Sequence, residues 1–165
     1  MDISGKILNL LKEKNSKFVY FEHEPSGPSN LSREIRSKHG YPDAVGAKAL
    51  VLALTFSGNI KKNVLAVLPG HKQLDKKKLK NIFKDMKEFR FATQEELLQL
   101  TGLVPGSVPP FGKPVLDLDI FILDKNLEAE KQIGFNVARL DASIVMDFQE
   151  YFKTIQPDYF DFLSS

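Results

Sequence analysis

Lys48 is the residue whose setting first suggests chemistry, because it interrupts the otherwise apolar stretch formed by residues 47–54. The Leu, Ala and Val content of that stretch predicts a buried strand. An ammonium group there either reaches water at the end of the strand or lies in a pocket, where desolvation disfavours an unpaired charge. The first arrangement has no function. The second would hold a phosphate or a polar substrate at the edge of the sheet.

The segment 101–113 is the second candidate, since it contains three glycines and three prolines within thirteen residues. Glycine permits positive φ, and proline fixes its own φ and removes a backbone donor. A stiff loop of this composition leaves a few N–H groups in fixed directions, with no side chain above the glycines. It is either a connector between a helix and a strand or one wall of a binding site.

Other kinds of site are not supported by the sequence. His23, His39 and His71 do not have the spacing of metal ligands, and the chain contains no cysteine. The sequence has no Gly-x-Ser-x-Gly elbow, no P-loop and no dinucleotide fingerprint. We therefore expect no metal and no cofactor.

The charge is nearly balanced, with 23 Lys+Arg against 21 Asp+Glu and a net charge of +2. That balance disfavours a general DNA-binding protein, so a nucleic-acid contact would need a local patch. One basic concentration exists, at Lys61, Lys62, Lys72, Lys76, Lys77, Lys78, Lys80, Lys84 and Lys87. It is either a solvated helix face or a surface that meets a phosphate backbone.

The elements that must position these residues follow from hydrophobic periodicity and capping residues. Helices are predicted at residues 3–14, at 31–38 with Ser29 or Asn30 as cap, from a cap at Asp75 to about residue 83, from a capping box at Thr93 to Gly102, and at 148–154. Strands are predicted at residues 18–22, 47–54, 63–68, 88–91, 115–123, 132–137 and 143–147. This irregular order predicts one α+β domain over residues 1–165, built on a mixed sheet whose central strands are 47–54 and 63–68.

Three segments carry a resemblance to a known family. They are Gly-Ala-Lys-Ala-Leu-Val-Leu at 46–52, Thr-Gly-x-x-x-Gly-Ser-Val-Pro-Pro-Phe at 101–111, and Ile-Gly-Phe-Asn at 133–136. Their order and spacing resemble the YbaK/ProX superfamily, the free-standing relatives of the editing domain inserted in bacterial prolyl-tRNA synthetase. The resemblance extends over nearly the whole chain, from residue 21 to residue 157, and is strongest to the YeaK-type branch.

The resemblance implies a mixed, barrel-like sheet of about six or seven strands surrounded by helices. It implies trans-editing, the hydrolysis of the ester between a wrong small amino acid and the acceptor end of a tRNA, without a metal. Lys48 would be the catalytic residue, in an electrostatic and positioning role. The substrate-binding residues would be Phe21, His23, Gly102, Gly106, Ser107, Val108, Pro109, Pro110, Asn136 and Ala138. The tRNA-binding residues would be Lys72, Lys76, Lys77 and Lys80.

Two positions depart from the family pattern. Many relatives have Ala-Gly where this chain has Val137-Ala138, and some have tyrosine in place of Phe21. Because neither change involves Lys48, we expect activity to survive with altered selectivity for the amino acid.

Three functions remain open on the sequence. The first is an aminoacyl-tRNA deacylase for Ser, Thr or Ala, acting free or with an aminoacyl-tRNA synthetase. The second is a tRNA-binding or synthetase-associated module without hydrolytic activity. The third is a general nucleic-acid binder, which the small net charge and the lack of an aromatic stacking platform disfavour. The absence of a signal-peptide pattern and of a long apolar run predicts a cytoplasmic protein with no membrane partner.

Overall fold

The longest strand of the described chain, residues 45–56, pairs with three other strands of the sheet. The computed structural model describes residues 1–26 and 29–165. Its strands are β1 (Val19–Glu22), β2 (Val45–Phe56), β3 (Ile60–Pro69), β4 (Met86–Phe91), β5 (Ile120–Asp124), β6 (Gln132–Asn136), β7 (Ala142–Asp147) and β8 (Tyr159–Asp161). Its helices are α1 (Ile3–Glu13), α2 (Ser29–Lys38), α3 (Lys76–Ile82), α4 (Gln94–Thr101) and α5 (Phe148–Phe152).

Strand β2 belongs to two sheets. The strand order is β1-β7-β6-β2-β3-β5-β8, with β4 also paired to β2. The start of β2, at Val45 and Gly46, pairs in parallel with β6, whereas residues 52–56 pair with β4 in antiparallel fashion. From Ala47 to its end, β2 also pairs with β3 in antiparallel fashion. The prediction of a mixed sheet with these two strands at its centre is confirmed, and β2 carries Lys48 close to the place where its pairing partner changes.

Local sequence chemistry sets the element boundaries. Thr93 and Glu96 form the predicted capping box at the start of α4, which ends at Gly102 with φ 74°. Asp75 caps α3 by accepting hydrogen bonds from two backbone N–H groups. Between β2 and β3, Gly58 adopts φ 76° in the turn that connects the two strands. The capping role predicted for Ser29 or Asn30 falls on side chains outside the described part of the chain.

Two apolar clusters fill the two sides of the structure. The larger contains Ile7 and Leu11 of α1 together with Tyr151 of α5. The smaller lies under α3 and includes Leu52, Leu54 and Leu79. No helix among the described residues is long and apolar enough to cross a membrane.

Two predictions about strands are wrong. The strand predicted at residues 115–123 begins only at Ile120, because Val115 turns back to donate to the carbonyl of Gly112. Val115 and Leu116 are nevertheless buried in the larger cluster, so their apolar pattern reflects burial without strand pairing. The described chain also forms an eighth strand, β8, in a segment where we predict no strand from the sequence.

Candidate active site

A large cavity lies at the start of β2, where β6, α2 and the Gly/Pro loop meet. Its volume is about 960 Å³. It is lined by Ser32, Arg33, Arg36, Pro42, Asp43, Ala44, Val45, Gly46, Ala47, Lys48, Ala49, Leu50, Gly70, His71, Gly106, Val108, Glu130, Gly134, Phe135 and Asn136. This volume lies at the upper end of the range for small-molecule sites, so it could hold a nucleoside with a small group attached.

Lys48 lines this cavity and is half-buried in β2. Its Nζ donates a hydrogen bond of 2.7 Å to the backbone carbonyl of Lys72. No carboxylate of the described residues forms a salt bridge with it. Partial burial lowers the pKa of its ammonium group, because desolvation disfavours the charged form. The side chain is therefore a held cation with donors left for a ligand.

The Gly/Pro loop, residues 102–110, is fixed by its own hydrogen bonds. Ser107 Oγ donates to the carbonyl of Val104 at 2.7 Å, and Gly106 between them adopts φ 88°. Below the loop, the hydroxyl of the fully buried Tyr151 donates to the carbonyl of Pro110 at 2.6 Å. Of the predicted substrate-binding residues in this loop, Gly106 and Val108 line the cavity.

The other predicted residues of the loop lie elsewhere. Ser107, Pro109 and Pro110 are buried beneath the loop surface. Gly102 is exposed at the end of α4. None of these four residues lines the cavity.

Asn136, at the end of β6, ties the loop to the sheet. Its Nδ2 donates to the carbonyl of Gly106 at 2.8 Å and to Ser26 Oγ at 3.0 Å. Its Oδ1 accepts from Ser143 Oγ at 3.0 Å. Ser143 Oγ is in turn 2.7 Å from His23 Nε2. The chain of contacts holds the carboxamide in one orientation, and it places His23 behind the cavity wall, from where it supports Asn136.

Phe21 and Ala138 do not line the cavity either. Phe21 stacks on His39, with ring centroids 4.4 Å apart. Ala138 adopts φ 62°, a conformation that glycine takes at lower cost. Val137 beside it is fully buried in the larger cluster. Val137 and Ala138 therefore belong to the turn after β6 and to the core packing there, and neither residue lines the cavity.

The predicted tRNA-binding lysines lie to one side of the cavity. Lys72 contributes the carbonyl that holds Lys48 and follows His71, which lines the cavity. Lys76, Lys77 and Lys80 are exposed on α3. Lys80 Nζ also donates to the carbonyl of Met86.

Sequence reasoning missed Arg36, Gly46 and Gly134 as parts of the site. Arg36 is buried in the cavity wall with 6% exposure. The sequence of α2 gave no sign of this, since an arginine on a polar helix normally faces water. In the described part of the chain, no group of three His, Cys, Asp or Glu side chains could hold a metal ion.

Comparison with known proteins decides the family. The sequence model of the family described as "Aminoacyl-tRNA editing domain" matches residues 34–154. The chain belongs to the aminoacyl-tRNA editing domain family. The family predicted from the sequence is thereby confirmed. The matched range of this editing domain includes every residue that lines the cavity except Ser32 and Arg33.

A curated relative agrees with this assignment, and two solved structures share the fold. The editing domain is 31% identical over 159 residues to the multifunctional Ser/Thr-tRNA deacylase ProXp-y of Escherichia coli K12, covering 95% of this chain and 90% of that protein. A crystal structure described as a candidate trans-editing enzyme for prolyl-tRNA synthetase superimposes with a TM-score of 0.72 at 21% identity, covering 100% of this chain and 98% of the other. A protein described as hypothetical gives a TM-score of 0.75 at 19% identity, covering 97% and 99%.

Proposed function

We propose that this editing domain is an aminoacyl-tRNA deacylase, which hydrolyses the ester that links a wrong small amino acid to the 3′ end of a tRNA. The observation that carries the proposal is the meeting of Lys48, Gly106 and Asn136 in one cavity, although they lie far apart in the sequence. The activity of the bacterial relative, named as a Ser/Thr-tRNA deacylase, supports Ser and Thr as the first amino acids to test, with Ala next.

The chemistry asks little of the protein, because an aminoacyl ester is already activated. Hydrolysis needs a water molecule near the ester carbonyl and donors directed at the oxyanion that develops. The ribose hydroxyl next to the ester is available to orient that water. We assign no nucleophile to the protein.

The Gly/Pro loop is the proposed source of oxyanion donors. In the part of the chain that the structure describes, the N–H groups of Gly106 and Val108 form no hydrogen bond within the protein. Both residues line the cavity, and Asn136 fixes the Gly106–Ser107 peptide, which lies between the two N–H groups, through the Gly106 carbonyl. Donors held in advance stabilise an oxyanion without reorganising during the reaction.

Lys48 supplies positive charge to the cavity that Gly106 and Val108 also line. Its tether to the carbonyl of Lys72 limits the directions that Nζ can take. We propose that Lys48 stabilises the negative charge of the substrate and of the transition state, and that it orients the terminal ribose. Ala47, Val108 and Phe135 line the same cavity and are the proposed apolar part of an amino-acid pocket. A pocket of this kind rejects larger side chains sterically, as in a second sieve.

The test is deacylation of a panel of tRNAs charged with Ser, Thr, Ala, Cys and Pro, with Lys48→Ala beside the wild type. We expect hydrolysis of one or two of the small amino acids, and loss of that hydrolysis in the variant. Lys6→Ala, which removes an exposed lysine of α1, is the matched control and keeps full activity. Binding of tRNA without hydrolysis of any ester would favour the non-catalytic binding module.

Association with an aminoacyl-tRNA synthetase is a separate proposal, supported by the description of the structural neighbour as a trans-editing enzyme for prolyl-tRNA synthetase. Analytical gel filtration with prolyl-tRNA synthetase, with and without tRNA, tests it. Co-elution supports a complex, and independent elution under both conditions supports an enzyme that acts free.

A further inference from the structure

Arg36 occupies a site that two glycines create. Gly46 of β2 and Gly134 of β6 face each other across the short parallel pairing of these strands. A Cβ on Gly134 would lie 2.3 Å from Arg36 Cδ, and one on Gly46 would lie 3.3 Å from Arg36 Nη2. Any side chain at Gly134 would therefore collide with Arg36, so the side chain of Arg36 crosses the two strands where neither carries a side chain.

No hydrogen-bond or carboxylate partner among the described residues explains the burial of the Arg36 guanidinium. Its Nε is buried without a hydrogen-bond partner among the described residues. No salt bridge joins it to a carboxylate in the described part of the chain, although Asp43 and Glu130 also line the cavity. Burial lowers the pKa of Arg36, and the charge of Arg33 lowers it further. A buried cation without a counter-charge destabilises the folded protein, so a ligand that supplies the negative charge is expected.

Arg36 lies near Lys48 on the same wall. Gly46 and Lys48 are two residues apart in β2, so they share a face of the strand and their Cα atoms are about 7 Å apart. Arg36 lies over Gly46, and Lys48 points from the neighbouring position on that face. A guanidinium and an ammonium therefore both line this cavity, next to neighbouring positions on one face of β2, and together they attract an anion with more than one oxygen.

We propose that Arg36 binds the phosphodiester on the 5′ side of the terminal nucleotide of the tRNA. The planar guanidinium offers parallel donors to the two non-bridging oxygens of that group, whereas Lys48 acts closer to the ribose and the ester. The inference rests on the proposed function for the identity of the ligand. It assigns to Arg36 the role of a positioning residue that fixes how deeply the 3′ end enters the cavity.

The experiment is a binding cycle that does not depend on hydrolysis. The ligands are 3′-serylamino-3′-deoxyadenosine with a free 5′ hydroxyl, and the same compound with a 5′ phosphate as its methyl ester. The amide resists hydrolysis, and the methyl ester carries the single negative charge of a phosphodiester. Affinities are measured by titration calorimetry for the wild type, Arg36→Met, Arg36→Lys and Lys38→Gln. Lys38 is an exposed residue at the end of the same helix and is the matched charge control.

In the wild type we expect the phosphate to tighten binding by about tenfold, as for a charge-assisted bidentate contact. This gain in affinity from the 5′ phosphate, the phosphate advantage, falls to less than about twofold in Arg36→Met. In Arg36→Lys it is intermediate, since lysine keeps the charge but lacks the planar pair of N–H donors. Lys38→Gln keeps the full advantage. An unchanged phosphate advantage in Arg36→Met would overturn the inference.

A stability measurement separates this role from a structural one. Methionine keeps an unbranched stem and removes the buried charge, so Arg36→Met is expected to melt no lower than the wild type. A lower Tm together with an unchanged phosphate advantage would make Arg36 a structural residue. If Arg36→Met does not fold, Gly46→Ala gives a second reading. Its Cβ would lie 3.3 Å from Arg36 Nη2, so the guanidinium must shift by a few tenths of an ångström, which should weaken the phosphate advantage.

The outcomes also distinguish this inference from the proposed function. Loss of the phosphate advantage in Arg36→Met, with no deacylation of any charged tRNA, would leave Arg36 as a phosphate-binding residue of a non-catalytic module. Deacylation that depends on Lys48, with a phosphate advantage that Arg36→Met does not change, would overturn the role proposed for Arg36 and leave the proposed function standing.

Discussion

The arginines at the two ends of β2 differ in burial and in pairing with a carboxylate. Arg90 of β4 pairs with the second half of β2, is exposed, and donates to both carboxylate oxygens of Glu96 at 2.6 and 2.9 Å. Arg36 lies over the first half, is buried, and has no carboxylate partner among the described residues. Hydrogen bonding to Glu96 raises the pKa of Arg90, whereas burial lowers that of Arg36. The contrast is that the arginine at the far end has its counter-charge within the fold, whereas no carboxylate of the described residues pairs with Arg36 or Lys48 at the cavity end.

The sharpest test of this contrast is Lys48→Ala against Arg90→Ala. We expect Lys48→Ala to lower kcat/KM for deacylation by about 100-fold, the usual effect of removing an electrostatic group that acts in the transition state. Its Tm should stay close to that of the wild type, since the ammonium forms no salt bridge in the described chain. Arg90→Ala should keep its activity. Steady-state kinetics with charged tRNA and thermal melts of both variants check this, and equal losses of activity would erase the distinction between the two ends.

Asn136→Ala probes how the cavity end is positioned. The substitution frees the Gly106 carbonyl and breaks the path to Ser143. We expect kcat/KM to fall by about tenfold, or ~1.4 kcal/mol, through a misplaced loop. Ser143→Ala should have a smaller effect in the same direction, and Asn81→Ala, at an exposed asparagine of α3, none. Full activity in Asn136→Ala would show that the loop holds its shape alone.

The lysines of α3 should affect binding more than chemistry. A triple variant with Glu at Lys76, Lys77 and Lys80 is expected to raise KM about fivefold at physiological salt, with kcat unchanged. The salt dependence of tRNA binding should become less steep. The matched control carries Glu at Lys6, Lys12 and Lys14, three exposed lysines at α1. The same KM in both variants would show that α3 does not contact tRNA.

The smallest effect is expected at the far end. The Arg90 guanidinium and the backbone N–H of Thr93 hold the pKa of Glu96 at about 2. Because the folded-state pKa lies below the usual value of 4.5, this carboxylate contributes stability above about pH 4.5 and loses it as the pH falls towards 2. The contribution is small, since the pair is exposed. NMR titration of Glu96 in wild type and Arg90→Ala measures it, and we expect the pKa to rise in the variant. An unchanged pKa would assign the shift to the helix cap alone.

Local chemistry explains which parts of the fold were predictable. The capping box at Thr93 and the cap at Asp75 depend on neighbours within four residues, and both predictions are confirmed. The β8 strand depends on parallel pairing with β5, a contact that no local pattern records. The apolar side chains around Val115 are buried without a strand, so periodicity gave the wrong element there.

The residues of the site also differ in whether a local sequence pattern indicates them. Lys48 and the Gly/Pro loop could be predicted because each departs from the residue pattern of its own segment. The family resemblance added Asn136. Arg36 breaks no local pattern, and its burial follows only from the facing of Gly46 and Gly134 across two strands that are distant in sequence. The specific roles assigned to these residues remain predictions for the experiments above.

The hydrogen bond from the Tyr151 hydroxyl to the Pro110 carbonyl has a consequence for the amino-acid selectivity of the site. Burial raises the pKa of the Tyr151 hydroxyl well above its ordinary value, so the phenol keeps its proton at any pH at which the protein works. The floor of the loop is thus fastened to α5 by a contact that neither acid nor mild base releases. An enzyme whose sieve is fastened in this way would need no closing movement to measure its substrate. Its ratio of accepted to rejected amino acids should then stay nearly constant as conditions change the overall rate.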